Sequence, residues 1–117
     1  MRSAAVAAVV AAAVAVTGVA LLPTSALALK RRIVGTCAPC HWTPRSRTVA
    51  RGTKIVWKVP AGDVAHTVTA YRSNSKKWVK NVTIGPGQKT SKVFKKRGLY
   101  RFKCRFHPGM NGSIRVT

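Results

Sequence analysis

Tyr100-Arg101-Phe102-Lys103-Cys104-Arg105-Phe106-His107-Pro108-Gly109-Met110 reads as a strand running into a tight loop. Tyr100, Phe102 and Cys104 alternate with Arg101, Lys103 and Arg105, and a period of two puts the first set on one face of a strand and the bases on the other. Cys104 then points inward, at the edge of an apolar layer that shields it from water. Beyond it the loop sets a thiol, an imidazole and a thioether at the spacing Cys-x-x-His-x-x-Met. These are three donors of the His₂Cys-plus-weak-axial-Met set that makes a mononuclear type 1 copper centre.

The fourth donor must come from elsewhere in the chain. His66 opens a strand-like run, His66-Thr67-Val68-Thr69-Ala70-Tyr71, and is the candidate; His41 lies in a different setting. The expected metal ligands are therefore His66, Cys104, His107 and Met110, with one copper per chain. A buried structural cysteine beside an incidental histidine and methionine is the plainer alternative. Three donors in one loop after an alternating strand, with a distant strand-edge histidine, argue against it. Two imidazoles and a thiolate suit both Cu(I) and Cu(II), and a weak thioether lets the geometry survive a change of oxidation state. The expected role is one-electron transfer between redox partners, not catalysis. The same ligands would also serve a carrier or sequestering protein that hands on the copper ion itself.

Past the loop, Asn111-Gly112 is a turn signal and Ser113-Ile114-Arg115-Val116-Thr117 alternates again, with Ile114 and Val116 inward. Cys104-x-x-His107-x-x-Met110 followed by Gly112, with His66-Thr67-Val68 upstream, resembles the plastocyanin/amicyanin branch of the cupredoxins, and the loop has the amicyanin length. Trp42-Thr43-Pro44 and Val49-Ala50-Arg51-Gly52-Thr53-Lys54-Ile55-Val56-Trp57 resemble the family's aromatic-x-Pro and Gly-Asp/Thr-x-Val-x-Trp patterns. The resemblance runs from about Arg32 to Thr117 and is most specific in the last loop. It implies that His107 carries the edge through which electrons pass, in an apolar patch lined by Pro108, Gly109 and the Pro60–Val64 turn, with Arg105 and other bases around it.

Breaks at Gly52, Pro60-Ala61-Gly62, Ser73-Asn74-Ser75, Gly85-Pro86-Gly87 and Gly98 divide the chain into short segments. Strands are expected near Arg32–Thr36, Arg47–Val49, Lys54–Val59, His66–Tyr71, Trp78–Thr83, Thr90–Lys95, Leu99–Cys104 and Ser113–Thr117. Seven or eight such strands, with no helix-period segment among them, predict an all-β fold, a Greek-key antiparallel β-sandwich. The basic arm before the first strand is expected to be loose.

Residues 1–28 read differently. Met1-Arg2-Ser3 is a short basic start, Ala4 to Leu22 is apolar apart from Thr17 and Gly18, and Ala26-Leu27-Ala28 is a small-residue cleavage box. That is a secretory signal peptide, which leaves residues 29–117 as one copper-binding domain in the periplasm, cell envelope or medium. Retention as a membrane anchor is the alternative, favoured by Lys30-Arg31-Arg32 directly after the apolar run.

The chain has 22 Lys and Arg against one acidic residue, Asp63, and a net charge of +21. Setting aside Arg2 with the leader, 21 cations less Asp63 give the domain +20. Lys54, Lys58, Lys92, Arg101, Lys103 and Arg115 are outward strand positions by alternation, and Lys76-Lys77 and Lys95-Lys96-Arg97 fall in turns. This exceeds what solubility asks for and implies an anionic partner, an acidic redox protein or an anionic cell-envelope surface. Nucleic acid fits the charge, but export and the lack of a stacking-aromatic groove argue against it. The protein is expected to be a monomer.

Cys37-Ala38-Pro39-Cys40-His41 stays open. Cys-x-x-Cys-His is a c-type haem attachment signature, the pair could form a second, softer copper-loading site with His41, and in an exported protein it is most simply a local disulfide.

Overall fold

The computed structural model describes residues 29–71 and 78–117. The leader sequence, the Ser73-Asn74-Ser75 break and the Lys76-Lys77 turn lie outside the described residues. Nine strands occur among those described: β1 (Lys30–Thr36), β2 (His41–Thr43), β3 (Ser46–Val49), β4 (Thr53–Lys58), β5 (His66–Tyr71), β6 (Asn81–Ile84), β7 (Lys89–Phe94), β8 (Gly98–Lys103) and β9 (Asn111–Val116). They form two sheets, in the orders β2-β1-β4-β7 and β3-β9-β8-β5-β6. The all-β sandwich expected from the sequence is present, with each sheet turning its inward residues to the other.

Three details differ from expectation. The sheets are mixed: β1 pairs with β4, and β3 with β9, in parallel. Parallel neighbours need a long connection, and here two strands separate β1 from β4 and five separate β3 from β9. Alternation tells which residues face inward and is silent about which strand lies alongside. Secondly, β2 is a ninth strand of only three residues, paired with β1 through Val34↔Thr43, Gly35↔Trp42 and Thr36↔His41. Three residues are too few to show a period. Thirdly, the basic arm is not loose, since Lys30 is already in register with Lys54, and Lys54 N–H donates to Leu29 O at 2.8 Å.

The core is aromatic. Trp57 of β4 stacks on Trp78 with ring centres 6.2 Å apart and meets Phe102 of β8 edge-on at 5.4 Å, so one side chain joins the two sheets. Phe94 and Tyr100 extend the cluster at 4.8 Å, and Ile33, Ile55, Val68, Ile114 and Val116 fill in around it. Burying each such side chain contributes roughly 1.5–3 kcal/mol. At the other end of Phe102, Trp42 of β2 packs edge-on at 5.5 Å. Gly112 at the start of β9 is required there, because a Cβ would overlap the Phe102 ring. This packing carries the core directly into the loop after β8.

Candidate metal centre

Cys104 follows the last residue of β8, buried and with a free thiol. His66 is the first residue of β5, fully buried. Strand β5 pairs with β8 in register Thr69↔Lys103, so the start of β5 lies beside the loop that β8 feeds. His107, three residues into that loop, turns Nδ1 toward both. The distances are 3.2 Å from His66 Nδ1 to His107 Nδ1, 3.4 Å from Cys104 Sγ to His107 Nδ1 and 3.8 Å from Cys104 Sγ to His66 Nδ1. One thiol and two imidazole nitrogens thus form a small triangle.

The loop is clamped through the backbone of Met110. Its carbonyl accepts the Cys104 N–H at 3.0 Å and the Trp42 indole N–H at 3.1 Å, and its own N–H donates to His107 O at 3.1 Å. The Met110 side chain is buried, 1% exposed. Thr67, next to His66, adds two bonds. Its N–H donates to Cys104 Sγ at 3.3 Å, and its hydroxyl accepts the Arg105 N–H at 2.7 Å.

His66 is held by shape. Its Nε2 is buried with no hydrogen-bond partner among the described residues, whereas a metal-binding histidine usually anchors its second nitrogen on a carbonyl or carboxylate. Here Trp42 lies against the ring, with centroids 5.7 Å apart and planes tilted by 55°. The backbone of Gly35 lies against both rings, and a Cβ there would come within 2.7 Å of Trp42 and 3.0 Å of His66. Burial first, and then the neighbouring His107, lower the His66 pKa from its ordinary 6.5, while Asp63 opposes the shift. The imidazole therefore presents a lone pair at neutral pH.

Cys37 and Cys40 form a disulfide. Neither sulfur is left for a thioether bond to haem. No local pattern indicates where in the fold this disulfide lies. Cys37 Sγ is 4.0 Å from His107 Nε2, and Cys37 N–H donates to Asp63 Oδ2 at 3.4 Å. Cys37, His66 and His107 could by distance alone make a metal group, their donor atoms all within 4.8 Å of one another. Cys37 has no thiolate while bonded to Cys40, and Cys104 is the free thiol beside the two imidazoles. Asp63 also binds Val64 N–H at 2.8 Å, and the turn ends in an exposed Val64, 48% accessible. Phe106, 51% exposed, stands with its ring 6.4 Å from that of His107. His41 does not join the group; its Nδ1–H donates to Pro39 O at 2.7 Å.

The donor set suits copper. A first-row ion with bonds of about 2.0–2.3 Å to nitrogen and sulfur, placed at the centre of three donors, separates them by roughly 3.5–4 Å, close to the edges found here. Two imidazoles and a thiolate are the donors that a type 1 copper takes. Thr67, Trp42 and Cys37 were not legible as parts of the site. Thr67 and Trp42 act through backbone and indole groups that leave no spacing signal, and Cys37 is 70 residues from His107.

Similarity to known proteins agrees with this chemistry. A purple cupredoxin from Nitrosopumilus maritimus has the same fold at 21% identity, covering 74% of this chain and 98% of that one with a TM-score of 0.63. An oxidised plastocyanin from Dryopteris crassirhizoma matches at 17% identity, 74% and 100% coverage and a TM-score of 0.61. A reduced Cu(I) form of an amicyanin variant matches at 23% identity, 74% and 82% coverage and a TM-score of 0.60. No curated protein matches the chain. Residues 34–117 match the family described as copper binding proteins, plastocyanin/azurin family. The chain belongs to that family, the cupredoxins, and copper is its cofactor.

Proposed function

We propose that the protein is an exported mononuclear type 1 copper protein that carries single electrons between redox partners. His66 Nδ1, Cys104 Sγ and His107 Nδ1 would hold copper as the strong donors, with Met110 as a weak fourth one. The observation that carries this reading is the triangle of 3.2, 3.4 and 3.8 Å under a loop whose closing carbonyl is bonded twice. Bound copper supplies a one-electron couple. The chain's part is to keep the donors in place through both oxidation states: Thr67 donates to the thiolate, Trp42 and Gly35 fix the His66 ring, and the apolar layer excludes water. Donors that are already positioned need little rearrangement on electron transfer. Pro108 and Gly109 sit in the exposed part of the loop, and with Val64 and Phe106 they offer a small apolar contact around His107. The leader sequence supports export, and a domain of +20 supports an acidic redox partner or an anionic envelope surface.

Copper titration followed by absorption tests the proposal. One Cu(II) per chain should give an intense thiolate charge-transfer band, which Cys104→Ser abolishes. Repeated oxidation and reduction should leave the copper bound. Persistence of the band in Cys104→Ser would overturn the ligand set, and ready loss of Cu(I) to a chelator on each cycle would make the protein a copper carrier instead.

A further inference from the structure

We infer that the Cys37–Cys40 disulfide is the closed form of a second, Cu(I)-selective site that opens when the disulfide is reduced. Two observations converge on this pair. Its sulfurs lie at the rim of the metal centre, with Cys37 Sγ 4.0 Å from His107 Nε2 and the donor atoms of Cys37, His66 and His107 all within 4.8 Å of one another. Cys37 and Cys40 are both only partly buried, so a reductant and an ion in solution can reach them.

The chemistry is that of the donors. Two adjacent thiolates are soft ligands and select Cu(I) over harder ions. They are unavailable while the disulfide stands, so redox state gates the site. Opening requires a dithiol. One of its thiolates attacks a disulfide sulfur to give a mixed disulfide, and its second thiol then closes on the first. Two electrons and two hydrogens pass to Cys37 and Cys40, and the dithiol leaves as its own disulfide. Cu(I) then binds the two sulfurs as two protons are released. The buried Cys104 is not consumed, so the inner centre and the rim site can be filled together.

The site lies beyond the electron-carrier reading and does not depend on it, and stoichiometry separates the two. The full chain, freed of metal, is treated with a water-soluble phosphine, which takes oxygen from water to become the phosphine oxide as it reduces the disulfide. After anaerobic desalting, the chain is titrated with Cu(I) against a chromophoric Cu(I) chelator. Untreated protein should retain one Cu(I) per chain and reduced protein two. The Cys37→Ser/Cys40→Ser variant should retain one under both conditions. Reduced Cys104→Ser should still hold one, at the rim, so failure of the inner site would not obscure the outer one. A ratio of one for the reduced wild-type chain would overturn the inference without recourse to any variant. So would a second ion that survives loss of Cys37 and Cys40.

Discussion

As a proposed ligand, His66 carries a cost to the metal-free protein. It is fully buried, with Nε2 unpartnered among the described residues, and burial, with His107 beside it, lowers its pKa below 6.5. The unfolded chain therefore takes up a proton near pH 6.5, whereas the folded chain holds out to lower pH. Stability from this group is intact above about pH 6.5 and is lost as the pH falls toward the lowered folded value, by at most about 1.4 kcal/mol per pH unit. Denaturant midpoints of the metal-free protein at pH 7.5 and 5.5 should differ accordingly, and His66→Gln should flatten the difference. An unchanged pH slope in that variant would place the titration elsewhere. Bound copper should mask the effect, because the metal occupies the lone pair that the proton needs.

At the scale of elements, the centre rests on a contact between the two sheets that sequence patterns could not show. Gly35 of β1 lies under Trp42 of β2 and His66 of β5. Gly35→Ala would put a methyl 2.7 Å from the indole and 3.0 Å from the imidazole, and overpacking of this kind costs about 1–3 kcal/mol. Both a lower thermal midpoint and a weaker charge-transfer band are expected, since Trp42 must shift and the ring of His66, the proposed ligand, packs against it. A variant with the parent's stability and spectrum would mean that the rings yield freely. The parts of the fold legible in the sequence share a physical reason. In β8, Tyr100 and Phe102 alternate with bases, His66–Tyr71 is bounded as read, and the Cys104–Met110 loop carries its donors at fixed spacing. Each is a local pattern. What escaped reading was either too short to have a period, as with β2, or depended on which distant segments meet. The parallel pairs β1/β4 and β3/β9, the Trp42 clamp on Met110 and the seat of the disulfide against His107 are of the second kind.

Across the whole molecule, charge dominates. Exposed or half-buried bases stand on β1, β4 and β7 of one sheet (Lys30, Arg31, Lys54, Lys58, Lys89, Lys92) and on β3, β8 and β9 of the other (Arg47, Arg101, Lys103, Arg115). If the proposed acidic partner is met through this field, electron-transfer rates should fall steeply as salt shortens the screening length from about 30 Å at 0.01 M to about 8 Å at 0.15 M. A basic partner should show the opposite trend. Stopped-flow rates that are flat with salt for both would assign the charge to retention on an anionic envelope. Asp63 adds a geometric consequence. The one carboxylate in the chain is spent on the backbone N–H groups of Cys37 and Val64, and no region of opposite sign balances the bases on the two sheets. Such a field pulls without aiming. An acidic partner would arrive quickly but in many attitudes, and only the short-range fit of Val64, Phe106 and Pro108 around His107 would sort the productive encounters from the rest, so the protein would hold its partners loosely and exchange them fast.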